Sequence, residues 1–448
     1  MNQYSVLFLP EYKKVTVQEG TSLLAAAAMA GVPLEGPCGG KGKCGKCIVH
    51  VQDWRETITE ADFQKALSCQ TQVRSNMVVR IPQVAASVHR KNWMNLTKLE
   101  INLDPGIQKV CVCLEKPAPA GQDGDRERLL KQLTVKPVPE ICLEALRSLP
   151  GALRKGGCRV TAALYGDKVI AVEPGDTTGV SYGVAVDLGT TTVAASLLDL
   201  NTGKLLGTAS ATNIQNIHGA DVISRITYCV ENERGLEQLH AEAVQVINGL
   251  VDKLCRMAGI ACSDIYQLTV VGNTAMTHFF AKLNPISLAR TPFVPVVNGS
   301  MVLEARDLGL HAAPHAQVHV LPNIAGFLGS DTVGVILATG LHRESEVILV
   351  IDIGTNGEIV LAGRGELAAC STAAGPAFEG AQIKYGMRAA EGAIEKVLIS
   401  EDVEIKTIGG YKARGICGSG LIDAVAEMVK AGLIDSSGKI ISPEKAGH

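Results

Sequence analysis

The chain opens on short apolar runs broken by polar turns. Tyr4 to Leu9 and Lys14 to Val17 alternate or run apolar around a polar turn, which predicts a β-hairpin. Thr21 or Ser22 then caps a helix over Leu23 to Ala30, stopped by Gly31 and Pro33. The pattern weakens from Val88 to Leu103, where HRKNWMN reads as a solvated linker. Residues 107–180 alternate apolar runs (VCVCLE, CRVTAALYG, KVIAVEP) with helical stretches (DRERLLKQL, EICLEALRSL), a small α+β module without a catalytic constellation. Pro174, Gly175 and Asp176 mark the next boundary. Beyond it come an apolar hairpin from Tyr182 and a helix with Leu236, Leu239, Ala243, Val246, Leu250 and Leu254 on one face. A strand over Leu268 to Val271 then runs into a small-residue turn at Gly272, Asn273 and Thr274, and Asn323 to Leu341 looks like a connecting helix.

Length and charge narrow the class. At roughly 150 residues per domain, 448 residues suggest about three domains. The balance of 42 basic and 45 acidic side chains, net −3, gives no bulk attraction to nucleic acid or anionic membrane. With 7 Phe, 8 Tyr and 2 Trp there is little material for base-stacking platforms. The start, MNQYSVLFLPEYKKV, lacks a basic segment followed by an apolar one, and no uncharged apolar stretch reaches about 18 residues, so a cytoplasmic protein is expected. In that compartment clustered cysteines signal metal or redox chemistry rather than disulfides. Glycine is in surplus, 47 residues, which suits tight turns and phosphate-binding loops.

Four of the 13 cysteines form a set: Cys38, Cys44 and Cys47 in GPCGGKGKCGKC, and Cys69 in ALSCQT, with gaps of five, two and 21 residues. Four thiolates in a glycine-rich loop suit a [2Fe–2S] cluster, because the backbone can wrap tightly and aim N–H groups at the sulfides, and Lys41, Lys43 and Lys46 compensate charge. The competing reading is a structural zinc site, which more often presents two paired knuckles. Cys111, Cys113, Cys142 and Cys158 read as buried small hydrophobes.

A second signal repeats. In YGVAVDLGTTTVAASLLD an apolar strand carries Asp187 into a turn at Gly189, Thr190, Thr191 and Thr192 before a second apolar strand. In ILVIDIGTNGEIVL the same places hold Asp352, Gly354, Thr355 and Asn356. Backbone N–H groups and hydroxyls at such a turn surround a phosphate, and the aspartate holds Mg²⁺ through water. Asp331 reads equally as a metal-facing carboxylate or a helix-start charge, and His278 as a packing histidine.

The N-terminal pattern of strands, helix, Cys loop and LSCQ resembles plant-type ferredoxin domains of β-grasp fold, with a first gap one residue longer than the family's four. The repeated hairpins resemble the actin, sugar-kinase and heat-shock ATPase superfamily of ribonuclease H-like fold, in which two lobes clamp a nucleotide. The combination, with VVGNTAM, AAGPAFEGA and GICGSGLIDAVAEM, is similar to reductive activators of corrinoid proteins. The resemblance implies a multidomain α+β and α/β chain: 1–88 ferredoxin-like, 89–106 linker, 107–180 middle domain, 181–345 first ATPase lobe, 346–448 second lobe, incomplete in that the superfamily's adenosine motif is not found before His448. It implies an enzyme that uses ATP and Mg²⁺ to pass an electron from Cys38, Cys44, Cys47 and Cys69 to Co(II) in a corrinoid protein serving a methyltransferase or O-demethylase. Asp187 and Asp352 are then catalytic, and an upstream electron donor and a homodimer partner are further candidates. Two readings stand beside it: a non-hydrolysing electron-transfer protein on an actin-like scaffold, and a dehydratase activator, against which the independent four-Cys domain argues.

Overall fold

The computed structural model describes the chain except residues 1, 11, 33, 35–39, 41, 43, 44, 46, 55–62, 82–102, 117–122, 220, 355, 374–384, 388, 390, 401, 436 and 442–448. Cys38, Cys44, Thr355, most of the linker and the AAGPAFEGA segment lie outside the described residues. The chain divides into two compact units, one of Met1–Arg90, Ile214–Asn232 and Thr339–His448, the other of Lys91–Asn213 and Glu233–Ala338.

The first unit begins with β1 (Gln3–Leu9), β2 (Lys13–Gln18), α1 (Leu23–Met29), β3 (Ile48–Asp53), β4 (Gln64–Leu67) and β5 (Met77–Arg80). The strand order is β2-β1-β5-β3-β4, with β1 parallel to β5 and every other pair antiparallel, the mixed sheet of a β-grasp. Ser22 rather than Thr21 caps α1, its Oγ accepting from the Ala25 amide at 3.2 Å. Alternation on β1 sends Val6 and Phe8 inward against Leu23, Ala26 and Ala27 of the helix.

In the second unit, β6 (Ile107–Cys113), α2 (Asp125–Gln132), β7 (Glu140–Ile141), α3 (Leu143–Lys155), β8 (Arg159–Tyr165) and β9 (Lys168–Pro174) form a sheet of order β6-β8-β9-β7. Helix α3 covers it with Ala145, Leu149, Ala152 and Leu153, a stripe at helical spacing. The expectation for the cysteines here is corrected. Cys113 is exposed and Cys111, Cys142 and Cys158 are only half-buried: the first two lie on the edge strand β6, and the other two, just before α3 and β8, pack on the margin of the core. Cys111 Sγ accepts from Arg159 Nε at 3.3 Å, and Cys142 caps α3.

The larger sheet of this unit comprises β10 (Tyr182–Leu188), β11 (Thr192–Asp199), β12 (Leu205–Thr212), β13 (Ile265–Val271), β14 (Met301–Glu304) and β15 (Gln317–Val320), ordered β12-β11-β10-β13-β15-β14. Three antiparallel strands are followed by parallel β13 and β15, the ribonuclease H-like arrangement. Between β12 and β13 run α4 (Val222–Glu231), which belongs to the first unit, and α5 (Gly235–Ala258), which buries Leu239, Ala243, Val246, Leu250 and Leu254. Helices α6 (Thr274–Phe280), α7 (Ala305–Leu308) and α8 (Ser330–Thr339) complete it. The expected helix is thus confined to the C-terminal half of Asn323 to Leu341, because Ile324 and Ala325 turn back to bond the Leu328 carbonyl.

One buried polar junction ties the two sheets of this unit. Lys109 Nζ lies 2.8 Å from Glu173 Oε2 and 4.4 Å from the Tyr266 ring, and the Tyr266 and Thr177 hydroxyls both donate to Glu173. The rest of the first unit contains β16 (Ile348–Ile353), β17 (Asn356–Gly363) and β18 (Glu366–Ala373) in one antiparallel sheet, then β19 (Ala393–Ile399), β20 (Val403–Thr407), β21 (Gly415–Ile416) and α9 (Gly418–Lys430). Among the described residues no helix is long and apolar enough to cross a membrane.

His278 packs as expected. It is fully buried, with Nδ1 2.6 Å from the Thr274 carbonyl and Nε2 accepting from the Val296 amide at 2.9 Å. Burial holds its pKa down, against the opposing pull of the Thr274 carbonyl. The neutral ring therefore contributes stability above the unfolded-state pKa of about 6.5, and that contribution is lost as pH falls through the lower folded value. His278→Ala is expected to lower Tm by several degrees at neutral pH, with the gap to wild type narrowing in the same thermal scan at acid pH.

Candidate functional site

Two of the four cluster cysteines lie in the described residues, and the β-grasp brings them together. Cys47 directly precedes β3 and is buried; Cys69 follows β4, and their Sγ atoms are 3.2 Å apart. That exceeds a disulfide bond of about 2.05 Å and is within reach of a single metal atom. The Ser68 amide bonds the Cys47 carbonyl at 2.8 Å, and the Leu24 amide of α1 bonds the Ser68 carbonyl at 3.0 Å, so the helix fixes both cysteine segments. Gln70, which motif reading missed, donates from Nε2 to the Gly40 carbonyl at 2.5 Å and reaches Cys69 Sγ at 3.7 Å. Its position beside Cys69 was the available signal.

The loop needs its glycines at identifiable places. Gly40 and Gly42 hold φ of +77° and +69°, and a Cβ on Gly42 would press on the Gln70 side chain at 3.1 Å. Burial, with the Cys47 thiol beside it, pushes the Cys69 pKa up. A bound cluster must displace that Cys69 proton.

The aspartate hairpins lie in different units. In the first, β10 and β11 pair from Tyr182–Asp199 to Leu188–Val193, and Asp187 is exposed at the carboxyl end of β10. A Cβ at Gly189 would sit 2.4 Å from the Thr192 carbonyl oxygen, so only glycine fits. Thr190 is buried, and its Oγ1 accepts from Asn273 Nδ2 at 2.8 Å. Asn273 also caps α6, accepting from the Met276 amide at 3.0 Å. On the other side the fully buried Asn213 donates from Nδ2 to the Gly189 carbonyl and from its amide to the Thr191 carbonyl, both at 2.9 Å. The Gly272–Thr274 turn is thereby part of the hairpin's support, and Ser330, whose Oγ lies 3.0 Å from both the amide and the carbonyl oxygen of Gly272, locks it from α8. Asp331 Oδ1 accepts from the adjacent Thr332 amide at 2.8 Å in the first turn of α8, which favours the helix-start reading.

The second hairpin pairs β16 with β17, Asp352 opposite Glu358 and Ile353 opposite Gly357. The first closes on Leu188 opposite Val193, so the second turn is one residue shorter. The Gly354 amide bonds the Asn356 carbonyl at 2.9 Å, and Asp352 is exposed. The sequence repeat therefore marks related but not identical turns.

Profiles match in chain order: a 2Fe-2S iron-sulfur cluster binding domain over 8–74, the RACo linker region over 97–179, the RACo middle region over 182–344, and the C-terminal domain of RACo, the ASKHA domain, over 346–447. The chain is 32% identical to "Corrinoid activation enzyme RamQ" of Eubacterium limosum over 445 residues, 97% of this chain and 72% of that one. It is 28% identical over 291 residues to a Methanosarcina barkeri "[Co(II) methylated amine-specific corrinoid protein] reductase", covering 58% of this chain and 53% of that protein. A solved "Reductive activator for corrinoid,iron-sulfur protein" superposes with TM-score 0.59 at 36% identity, covering 98% of this chain and 74% of its own.

Asn273 serves Thr190 and the start of α6 at once. Asn273→Ala is expected to cost about 1 kcal/mol for the cap plus about as much for the hairpin bond, read as a lower urea midpoint for the second unit.

Proposed function

The chain belongs to the family of reductive activators of corrinoid proteins, and from that premise we propose that it reduces a partner protein's Co(II) corrinoid to Co(I) in an ATP-dependent one-electron step. The observation that carries the reading is one chain with both a four-cysteine ferredoxin motif, two of whose sulfurs lie 3.2 Å apart, and two aspartate hairpins of the ATPase type. Cys38, Cys44, Cys47 and Cys69 would hold the [2Fe–2S] cluster. When bound, this group supplies a single electron at low potential.

The chain's own residues do the rest. Asp187 and Asp352 organise Mg²⁺ and the attacking water, while Gly189, Thr190, Thr191, Thr192, Gly354, Thr355 and Asn356 offer amides and hydroxyls to the phosphates. An upstream electron donor recharges the protein. ATP is needed because the step runs uphill. At about 59 mV per factor of ten, a gap of about 200 mV amounts to roughly 4–5 kcal/mol, which a nucleotide supplies only by binding two states of the protein unequally.

The test follows cobalt. With the reduced protein and a corrinoid protein, the EPR signal of Co(II) is expected to disappear only when ATP is added. Asp187→Ala should abolish that ATP effect and the partner-stimulated phosphate release while leaving the visible absorption of the cluster intact; Cys69→Ser should remove both absorption and reduction. Cobalt reduction that ignores ATP in the wild type would sink the proposal in favour of a plain electron carrier.

A further inference from the structure

Away from both sites, three side chains of the second unit converge without a role in the proposed reaction. Cys142 Sγ, a Glu144 carboxylate oxygen and a His315 ring nitrogen all lie within 4.8 Å of one another. His315 is 6% exposed, and its Nε2 is buried with no hydrogen-bond partner. A buried polar atom left unmatched costs about 1–3 kcal/mol.

The surroundings give that nitrogen a direction and a state. His315 Nδ1 lies 3.0 Å from Glu304 Oε2, which fixes the proton on Nδ1 and leaves the Nε2 lone pair facing Glu144 and Cys142. A carboxylate behind a ligating imidazole is the usual outer support of a zinc-bound histidine. Arg306 anchors both carboxylates, with Nη1 3.0 Å from Glu144 Oε1 and Nε 3.1 Å from Glu304 Oε2, and so leaves Glu144 Oε2 turned toward the histidine at 3.6 Å. Cys142 is the N-cap of α3, its sulfur accepting from the Ala145 amide at 3.4 Å. The competing arrangement, an imidazolium bridging two glutamates, would draw Nε2 to about 2.8 Å from Glu144, and the 3.6 Å gap does not match it.

We propose that Cys142, Glu144 and His315 form a second metal site, for a divalent zinc-class cation completed by water. Thiolate, imidazole and carboxylate together suit zinc and not magnesium or calcium, which take oxygen ligands. Binding forms the metal–sulfur bond and releases the Cys142 thiol proton, which now faces the Ile170 carbonyl at 3.4 Å. Cys142 and Glu144 open α3 beside the four-stranded sheet, while Glu304 ends β14 and His315 leads into β15 of the six-stranded sheet. The cation is thus a clamp between those two sheets, at a place separate from the Lys109–Glu173–Tyr266 junction.

The experiment uses the full chain with its cluster assembled, stripped of loosely held metal by a chelator and then given zinc chloride. One zinc per chain is expected by elemental analysis, with the cluster absorption unchanged and Tm raised. Zinc-edge X-ray absorption should show one sulfur at about 2.3 Å and nitrogen or oxygen neighbours at about 2.0 Å. Cys142→Ser and His315→Gln should each lose the zinc and the Tm shift, and Cys111→Ser should keep both. Zinc retained by both site variants, no zinc on the wild type, or an all-sulfur shell pointing to the ferredoxin loop would each overturn the site. Should a variant fail to fold, the sulfur count on the wild type decides alone.

Discussion

The backbone's reversal between Asp187 and Thr192 is the constraint on which the edge of the six-stranded sheet depends. Gly189 brings one strand's carbonyl to 2.4 Å from where a Cβ would stand, and two other glycines make the same kind of approach: Gly272 against the Leu188 carbonyl at 2.8 Å and Gly329 against the Asn273 backbone at 2.4 Å. These contacts leave no room for side chains between β10, β13 and α8, so the polar groups there bond one another directly. Thr190, Asn213, Asn273 and Ser330 are each buried or satisfied from two sides as a result. The backbone position of Asp187 is therefore fixed by the packing around its turn.

The second hairpin shows what changes when that support changes. In the first, Val184, Val186 and Leu188 point to one face and are buried under α5, which packs across β10, β11 and β12. The equivalent Leu349, Ile351 and Ile353 of β16 are 56%, 54% and 81% exposed, while the opposite face buries Val360 and Ala362. The shared motif thus specifies a turn and a carboxylate, not an environment. Two turns of unequal length, one braced by Asn213 and Asn273, are not interchangeable halves.

Much of this was legible in the residues, and the reasons are physical. Glycine at the reversal between apolar runs admits few alternatives to a hairpin, so β10, β11, β16 and β17 were readable, as were β1 and β2 from apolar runs around a polar turn and the buried stripe of α5. Cysteine spacing could announce a shared centre because β-grasp register alone brings positions 47 and 69 together. What stayed hidden are polar partners far apart in the chain. Asn213 follows β12 with no motif around it, and Cys142 looks like any half-buried thiol until β14 and β15 fold beside α3 and bring Glu304 and His315 to it. The helix expected over Asn323 to Leu341 was half wrong because apolar content persists through a turn held by backbone bonds to Leu328.

Asn213, which bonds the Gly189 and Thr191 carbonyls of the first hairpin, is the last residue of its stretch of the second unit; Ile214 begins the stretch that belongs with the ferredoxin domain. That stretch is not a slack tether. Its single turn at Ile214–Ile217 packs on α1, the Ile217 carbonyl lies 3.9 Å from the Cβ position of Gly40 in the cluster loop, and a fully buried Arg225 binds Gln215, Asn216 and the Gly219 carbonyl. His218 stacks on Tyr228 at 4.1 Å, closing the segment on itself. The segment is thus held by local bonds within the first unit, Arg225 reaching back six to ten residues to Gly219, Asn216 and Gln215.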